Sequence, residues 1–334
     1  MTHIVAHVLR GDRIESVHHG HVAVVDATGR LLHAYGDPHI FTYTRSAMKP
    51  VQALPLVETG AADAFAFEQR DIALCCASHH AEREHVLRVA GMLERVGLST
   101  ADLQCGAHPP YHQPTARQMA ARGEEPTALH NNCSGNHVGM LAATVKLGAA
   151  VDAYLNVASP VQAQILEALC SVTELSPAEV GLAVDGCSAP VFGIPLASLA
   201  LLYARLANPE TAPSAHEKSL ERIRDAMIAH SDMVGGSESF CTALMVAGKG
   251  AIVSKAGAEG VYAVGLVGKR IGLAVKIADG NARAVGPVVC SALAQLGHAL
   301  DQGALADYAR PVLKNAAGTT VGAIQATLQL QEVH

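Results

Sequence analysis

The sequence predicts an α+β protein: an antiparallel sheet built from the N- and C-terminal strands, with a helical layer supplied by the middle of the chain. Three observations predict it. Strand-type runs lie within the first 45 residues and return between residues 260 and 280, helical spacing dominates from about 46 to 230, and no internal repeat or low-complexity linker separates these regions. A single domain over 1–334 follows, its helical middle (roughly 46–230) inserted between the two sets of strands.

The elements follow in order. "HVAVVDATGRLLHAY" holds two apolar runs around Asp26-Ala27-Thr28-Gly29, a hairpin signal. "DIALCCA" is short and apolar and reads as a strand, with Cys75 and Cys76 in it. "AEREHVLRVAGMLERVG" places Leu87, Val89, Met92, Leu93 and Val96 near helical spacing, with Gly97 as the C-terminal cap. "EVGLAVDGC" reads as a buried strand that ends in a loop at Asp185-Gly186-Cys187, and residues 196–230 return to helical spacing. "GVYAVGLVGKRIGLAVKIADG" reads as a hairpin turning at Gly268-Lys269-Arg270, and "GPVVCSALAQLGHAL" as a packing helix.

Composition narrows the function. A net charge of -6 without any Lys/Arg block argues against nucleic acid or an anionic membrane as partner and points to a small-molecule substrate. The least polar run, Ala189 to Ala204, is interrupted by Pro190 and Pro195, so no membrane span is expected; with no signal-peptide pattern at the start, the expected location is cytoplasmic. The eight cysteines then read as thiols or ligands rather than a disulfide framework. His18 to His21, "HHGH", reads as exposed hairpin residues.

The chemistry begins at "TRSAMKPVQ". Ser46 and Lys49 lie three residues apart at a helix entrance, so both side chains share one face. A serine hydroxyl needs a base, and a lysine amine can serve where apolar surroundings disfavour the ammonium; Ala47, Met48, Val51 and Leu54 supply them. Pro50 is tolerable only near a helix start, which places Ser46 where free amides favour a developing oxyanion. Ser78, after "ALCCA", and Lys255, in "SKAGAEG", form a second pair of the same types. Cys133, in "HNNCSGNH", opens a helix whose Val138, Leu141, Ala142 and Val145 share a face up to Gly148; a helix N-terminus favours a thiolate.

Five segments in this order, "RSAMKPVQ", "CASHHAEREH", "HNNCSGNHVGML", "VDGCSAPVF" and "KAGAEGVY", resemble the rhizobial-type (class 3) L-asparaginases, and Asn315 to Gly322 resembles the family's C-terminal end. The resemblance implies a fold similar to serine β-lactamases and glutaminases, and hydrolysis of L-asparagine to L-aspartate and ammonia through an acyl-enzyme. It implies Ser46 and Lys49 as the first Ser/Lys tandem and Ser78 and Lys255 as the second. Asp185 matches an acid beside the substrate and Arg45 is the candidate for the substrate carboxylate, while Cys133, Asn136 and His137 face the same pocket. It further implies a homodimer, no organic cofactor, and zinc on Cys133 and Cys187. In the family pattern Cys-Ser-Gly-Lys-His the lysine is a ligand, and this chain has Asn136 there. His137 reads either as a ligand or as a packed residue.

Two alternatives stay beside this reading: a related serine amidohydrolase acting on glutamine or a β-lactam, and a zinc-binding or redox module that uses Cys133 and Cys187.

Overall fold

The computed structural model describes residues 3–298, 300 and 303–333. The chain forms two compact units: one takes residues up to 47, 194–211 and those from 243 on, the other takes 48–193 and 212–242. In chain order the strands are β1 (Ile4–Arg10), β2 (Arg13–Asp26), β3 (Leu31–Tyr35), β4 (Phe41–Tyr43), β5 (Gly181–Val184), β6 (Pro190–Pro195), β7 (Ile252–Gly257), β8 (Val261–Leu266), β9 (Ile271–Ile277), β10 (Val312–Lys314), β11 (Thr320–Ala326) and β12 (Gln331–Glu332).

The first unit is built on a nine-stranded sheet of order β10-β11-β1-β2-β9-β8-β7, with β3 pairing β2 and β12 pairing β3. N- and C-terminal strands do share it, and their pairings are antiparallel, as expected for an α+β fold. Both predicted hairpins form. Asp26 ends β2, its Oδ1 accepts the Thr28 N–H at 2.9 Å, and Gly29 takes a left-handed φ of 85° to reverse the chain. At the other hairpin Leu266 faces Ile271, with Gly268 at φ 73° and Arg270 at φ 58°. Helix Leu196–Ala207 lies on β2, β8 and β9, and the predicted packing helix forms as Val285–Gln295; residue 299 of its stretch lies outside the described residues.

The "HHGH" stretch differs from expectation. His18 is inside β2 and only 2% exposed, its Nδ1 2.7 Å from Asp279 Oδ2 while Arg283 Nε donates to its Nε2 at 2.9 Å. Hydrogen-bond partners on a distant turn, invisible to local spacing, offset the cost of burying it.

The second unit is helical, chiefly Gln69–Cys75, Arg83–Val96, Gln113–Arg122, Ser134–Lys146, Pro160–Thr173 and Glu217–Ala229. "DIALCCA", expected as a strand, is a helix. Its entrance carries a capping box of Glu68 and Asp71, and buried Asp71 is held at 2.8 Å by both Arg88 and Arg95 from the next helix. That helix, Arg83–Val96, ends at Gly97 in the left-handed region as expected, with Val89, Met92, Leu93 and Val96 buried; Leu87, also expected inside, is 60% exposed. Strand β5 forms where predicted and pairs β6, but it is not buried: Leu182 and Val184 face outward. Among the described residues no helix is long and apolar enough to cross a membrane.

Candidate active site

The helical unit brings Lys49, Ser78 and Cys133 together. Lys49 opens the short helix Lys49–Gln52, with Pro50 in its first turn where the missing N–H costs nothing, and is 2% exposed. Its Nζ donates to Ala77 O at 2.5 Å and stands 3.2 Å from Ser78 Oγ and 3.1 Å from Cys133 Sγ. Ser78 lies in the loop after helix Gln69–Cys75, its N–H donating to Val234 O at 3.0 Å. Cys133 is the residue before helix Ser134–Lys146 and is buried; its N–H donates at 2.8 Å to the side chain of Asn131, two residues back, a local turn that aims the helix entrance at Lys49.

Cys187 and Asp185 sit together on the turn that joins β5 to β6. Asp185 N–H donates to Ala189 O, and Ser188 adopts a left-handed φ of 69° to close the turn. Cys187, with Lys49 beside it, holds the Cys133 thiol below the ordinary thiol range against the effect of burial. The same pairing and burial push Cys187 up.

The two neighbours on the helix are turned to other tasks. Asn136 Nδ2 donates to Cys75 O at 3.0 Å, and its Oδ1 is buried with no hydrogen-bond partner. His137 Nδ1 meets Tyr154 Oη at 2.6 Å, its Nε2 is buried without a partner, and burial, then Lys49, brings its pKa to about 3. Tyr154 also accepts the Gln104 N–H at 2.9 Å, so its hydroxyl proton is free to go to His137.

Arg45, Ser46 and Lys255 belong to the sheet unit. Arg45 and Ser46 occupy the 3-10 turn Arg45–Met48, with Arg45 at a left-handed φ of 49°; Tyr203 Oη donates to Ala47 O at 2.7 Å and anchors the turn. Lys255 is in β7, 1% exposed, with Nζ donating to Ala256 O at 2.9 Å.

Two loops shape the site, the first with no role legible in its sequence and the second marked by its glycine pair. The loop "CGAHPPYH" fastens the cysteine turn: Asn131 Nδ2 donates to Cys105 O at 2.7 Å and Asn132 N–H to His108 Nε2 at 3.0 Å. "MVGGSESF" supplies the Val234 carbonyl to Ser78 and the Ser237 N–H to Glu82 at 2.7 Å. The glycine pair Gly235-Gly236 was the available clue: Gly236 takes φ 97°, and a side chain there would meet Glu82 and His80.

The donor set does not fit a tetrahedral zinc. Among the described residues no three His, Cys, Asp or Glu side chains converge on a metal position, and the Asn136 amide is spent on Cys75.

Residues 6–326 match a family model described as L-asparaginase II. No curated protein matches the chain. Among solved structures, a beta-lactamase from Mycobacterium bovis is similar at 14% identity and a TM-score of 0.44, over 83% of this chain and 94% of that one. A putative beta-lactamase from Bacteroides dorei is similar at 13% identity and a TM-score of 0.41, over 81% and 92%. The protein Mglu is similar at 17% identity and a TM-score of 0.38, over 83% of this chain and 66% of its own.

Proposed function

Since the chain belongs to the L-asparaginase II family and is an asparaginase-type amidohydrolase, we propose that it hydrolyses the side-chain amide of L-asparagine to L-aspartate and ammonia through a serine acyl-enzyme. One observation carries the mechanistic part: the Lys49 amine, almost wholly buried, stands 3.2 Å from the hydroxyl of Ser78, which supports Lys49 as the base and Ser78 as its proton relay. Amide hydrolysis needs a nucleophile, a base, a place for the oxyanion and a proton for the departing ammonia. In this reading Ser46 attacks the amide carbonyl and the free amine of Lys49 takes its proton. Ser78, within hydrogen-bond reach of Lys49, returns the proton to the leaving nitrogen, water then releases aspartate, and Lys255 completes the second tandem.

Asp185 is proposed for the substrate ammonium, since it extends from the turn that carries Cys187, and Arg45 for the carboxylate. The working protein is proposed to be a cytoplasmic homodimer in which the whole chain acts as one asparaginase domain; light scattering should read twice the 34.6 kDa chain mass.

Ammonia release tests the reading. Ser46→Ala and Lys49→Met should each lower kcat/KM for asparagine by about 10³-fold or more while far-UV circular dichroism stays unchanged, because a positioned base alone is worth roughly 10²–10⁴-fold. Near-normal turnover in both variants would overturn the assignment, and a dead Ser78→Ala beside an active Ser46→Ala would transfer the nucleophile to Ser78. Glutamine and a chromogenic β-lactam, assayed in parallel, decide between substrates.

A further inference from the structure

We infer that Cys133 and Cys187 hold no zinc in this protein, and that the residue at position 136 is what decides it. The inference takes the choice of zinc from the family membership and depends on none of the proposed steps of hydrolysis.

Zinc asks for four ligands in a tetrahedron, normally thiolates, imidazoles or carboxylates. Among the described residues, the His, Cys, Asp and Glu side chains around this pair supply two. Position 136 is three residues past Cys133 on one helix, so it shares a face with the sulfur and is the natural source of a third. It holds a neutral amide. An amide oxygen brings no charge to offset the cost of dehydrating the metal, and this one is further constrained: its own nitrogen is bonded to Cys75 O, which holds the amide against helix Gln69–Cys75 and leaves Oδ1 enclosed without a partner.

The sulfur that would have bound metal has other neighbours. Cys133 Sγ lies 3.1 Å from Lys49 Nζ and 3.3 Å from Asn132 Oδ1. The Lys49 amine thus already occupies one side of the sulfur. Asn136→Lys would replace one side-chain methylene with four and bring an amine able to reach past the Cys75 carbonyl to the sulfur.

Metal content of the full chain tests this without reference to turnover. The protein is purified without chelator, dialysed against micromolar zinc and then against buffer, and read by atomic emission. Wild type should retain well under one zinc per chain, and its melting temperature should not move when zinc or 1,10-phenanthroline is added. Asn136→Lys should retain one zinc per chain and lose it again in Asn136→Lys/Cys187→Ser. One zinc per chain in wild type that falls away in Cys133→Ser overturns the inference, as does a folded Asn136→Lys that takes up none. Zinc in wild type that survives Cys133→Ser and Cys187→Ser sits elsewhere and leaves this pair metal-free, as inferred. Should Asn136→Lys not fold, wild type and the two cysteine variants decide the matter. An enzyme without asparaginase activity but also without zinc would sink the proposed function and leave this inference standing.

Discussion

At the scale of single residues, burial sets the chemistry. His79 is fully enclosed; its Nδ1 accepts the Ala81 N–H at 3.1 Å and its Nε2 meets Ser134 Oγ at 2.8 Å, so it is held as the neutral ring. Burial, helped by His85 and Lys49, holds its pKa well below the usual 6.5, and His137 is brought to about 3 for the same leading reason. The unfolded chain takes up a proton near pH 6.5 that the folded chain refuses at both positions. Stability is therefore complete above that pH and falls as the pH drops below it, continuing toward about 3 for His137. Urea midpoints at pH 7, 6 and 5 should decline in turn, and His79→Gln should flatten that decline; a slope unchanged in the variant would refute the role given to His79. The glutamate partner of His216 acts in the opposite direction: the 2.7 Å bond to Glu58 raises the His216 pKa, so its contribution is present at acid pH and is lost as the pH rises through the raised value.

Between elements, close approach depends on small residues. Helix Ser134–Lys146 lies on helix Gln69–Cys75 at Gly135 and Gly139: a Cβ at Gly135 would overlap the Leu74 carbonyl, and one at Gly139 would come 2.9 Å from Cys75 Sγ. This contact sets the distance from Cys133 and Asn136 to the 75–78 segment, and hence the spacing of Lys49, Ser78 and Cys133. Gly135→Ala should cost about 1–3 kcal/mol in chemical denaturation, the range for overpacking a tight contact, and should lower activity beyond that loss. If stability and turnover both stay at wild-type levels, the contact is looser than its geometry implies. The same packing explains why "DIALCCA" is a helix. Seven apolar-rich residues carry little periodic information, and buried Asp71 with its two arginines, 17 and 24 residues on, makes the choice.

On the scale of the whole molecule, the sheet unit collects strands from both ends of the chain and a helix from its middle. Gly272 in β9 lies against helix Leu196–Ala207 so closely that a Cβ would overlap the Ala200 carbonyl, and Gly265 in β8 faces Tyr203 in the same way. The helix and the distant β8–β9 hairpin thus share one close contact. Gly272→Ala should destabilise by about 1–3 kcal/mol and shift the midpoint of the unit's cooperative unfolding, read by near-ultraviolet circular dichroism; an unshifted midpoint would show that the helix can lift off the sheet at no cost. The β2–β3 and β8–β9 hairpins of the sheet were legible because their apolar runs flank Gly-bearing turns, whereas β10, β11 and β12 carried no such pattern. The outward faces of Leu182 and Val184 and the enclosed His18 were not legible, because exposure depends on what the rest of the chain lays over an element.

By itself the sequence determined the element types with strong periodicity, the two hairpins, and the residue types that carry the chemistry, since each depends on near neighbours along the chain. Only the tertiary structure decided that Lys49 meets Ser78 and Cys133, 29 and 84 residues away, and that Asn136 turns to Cys75. The physical reason is range: helical or strand spacing is a property of adjacent residues. A buried polar side chain, by contrast, takes whichever partner the packing brings within about 3 Å.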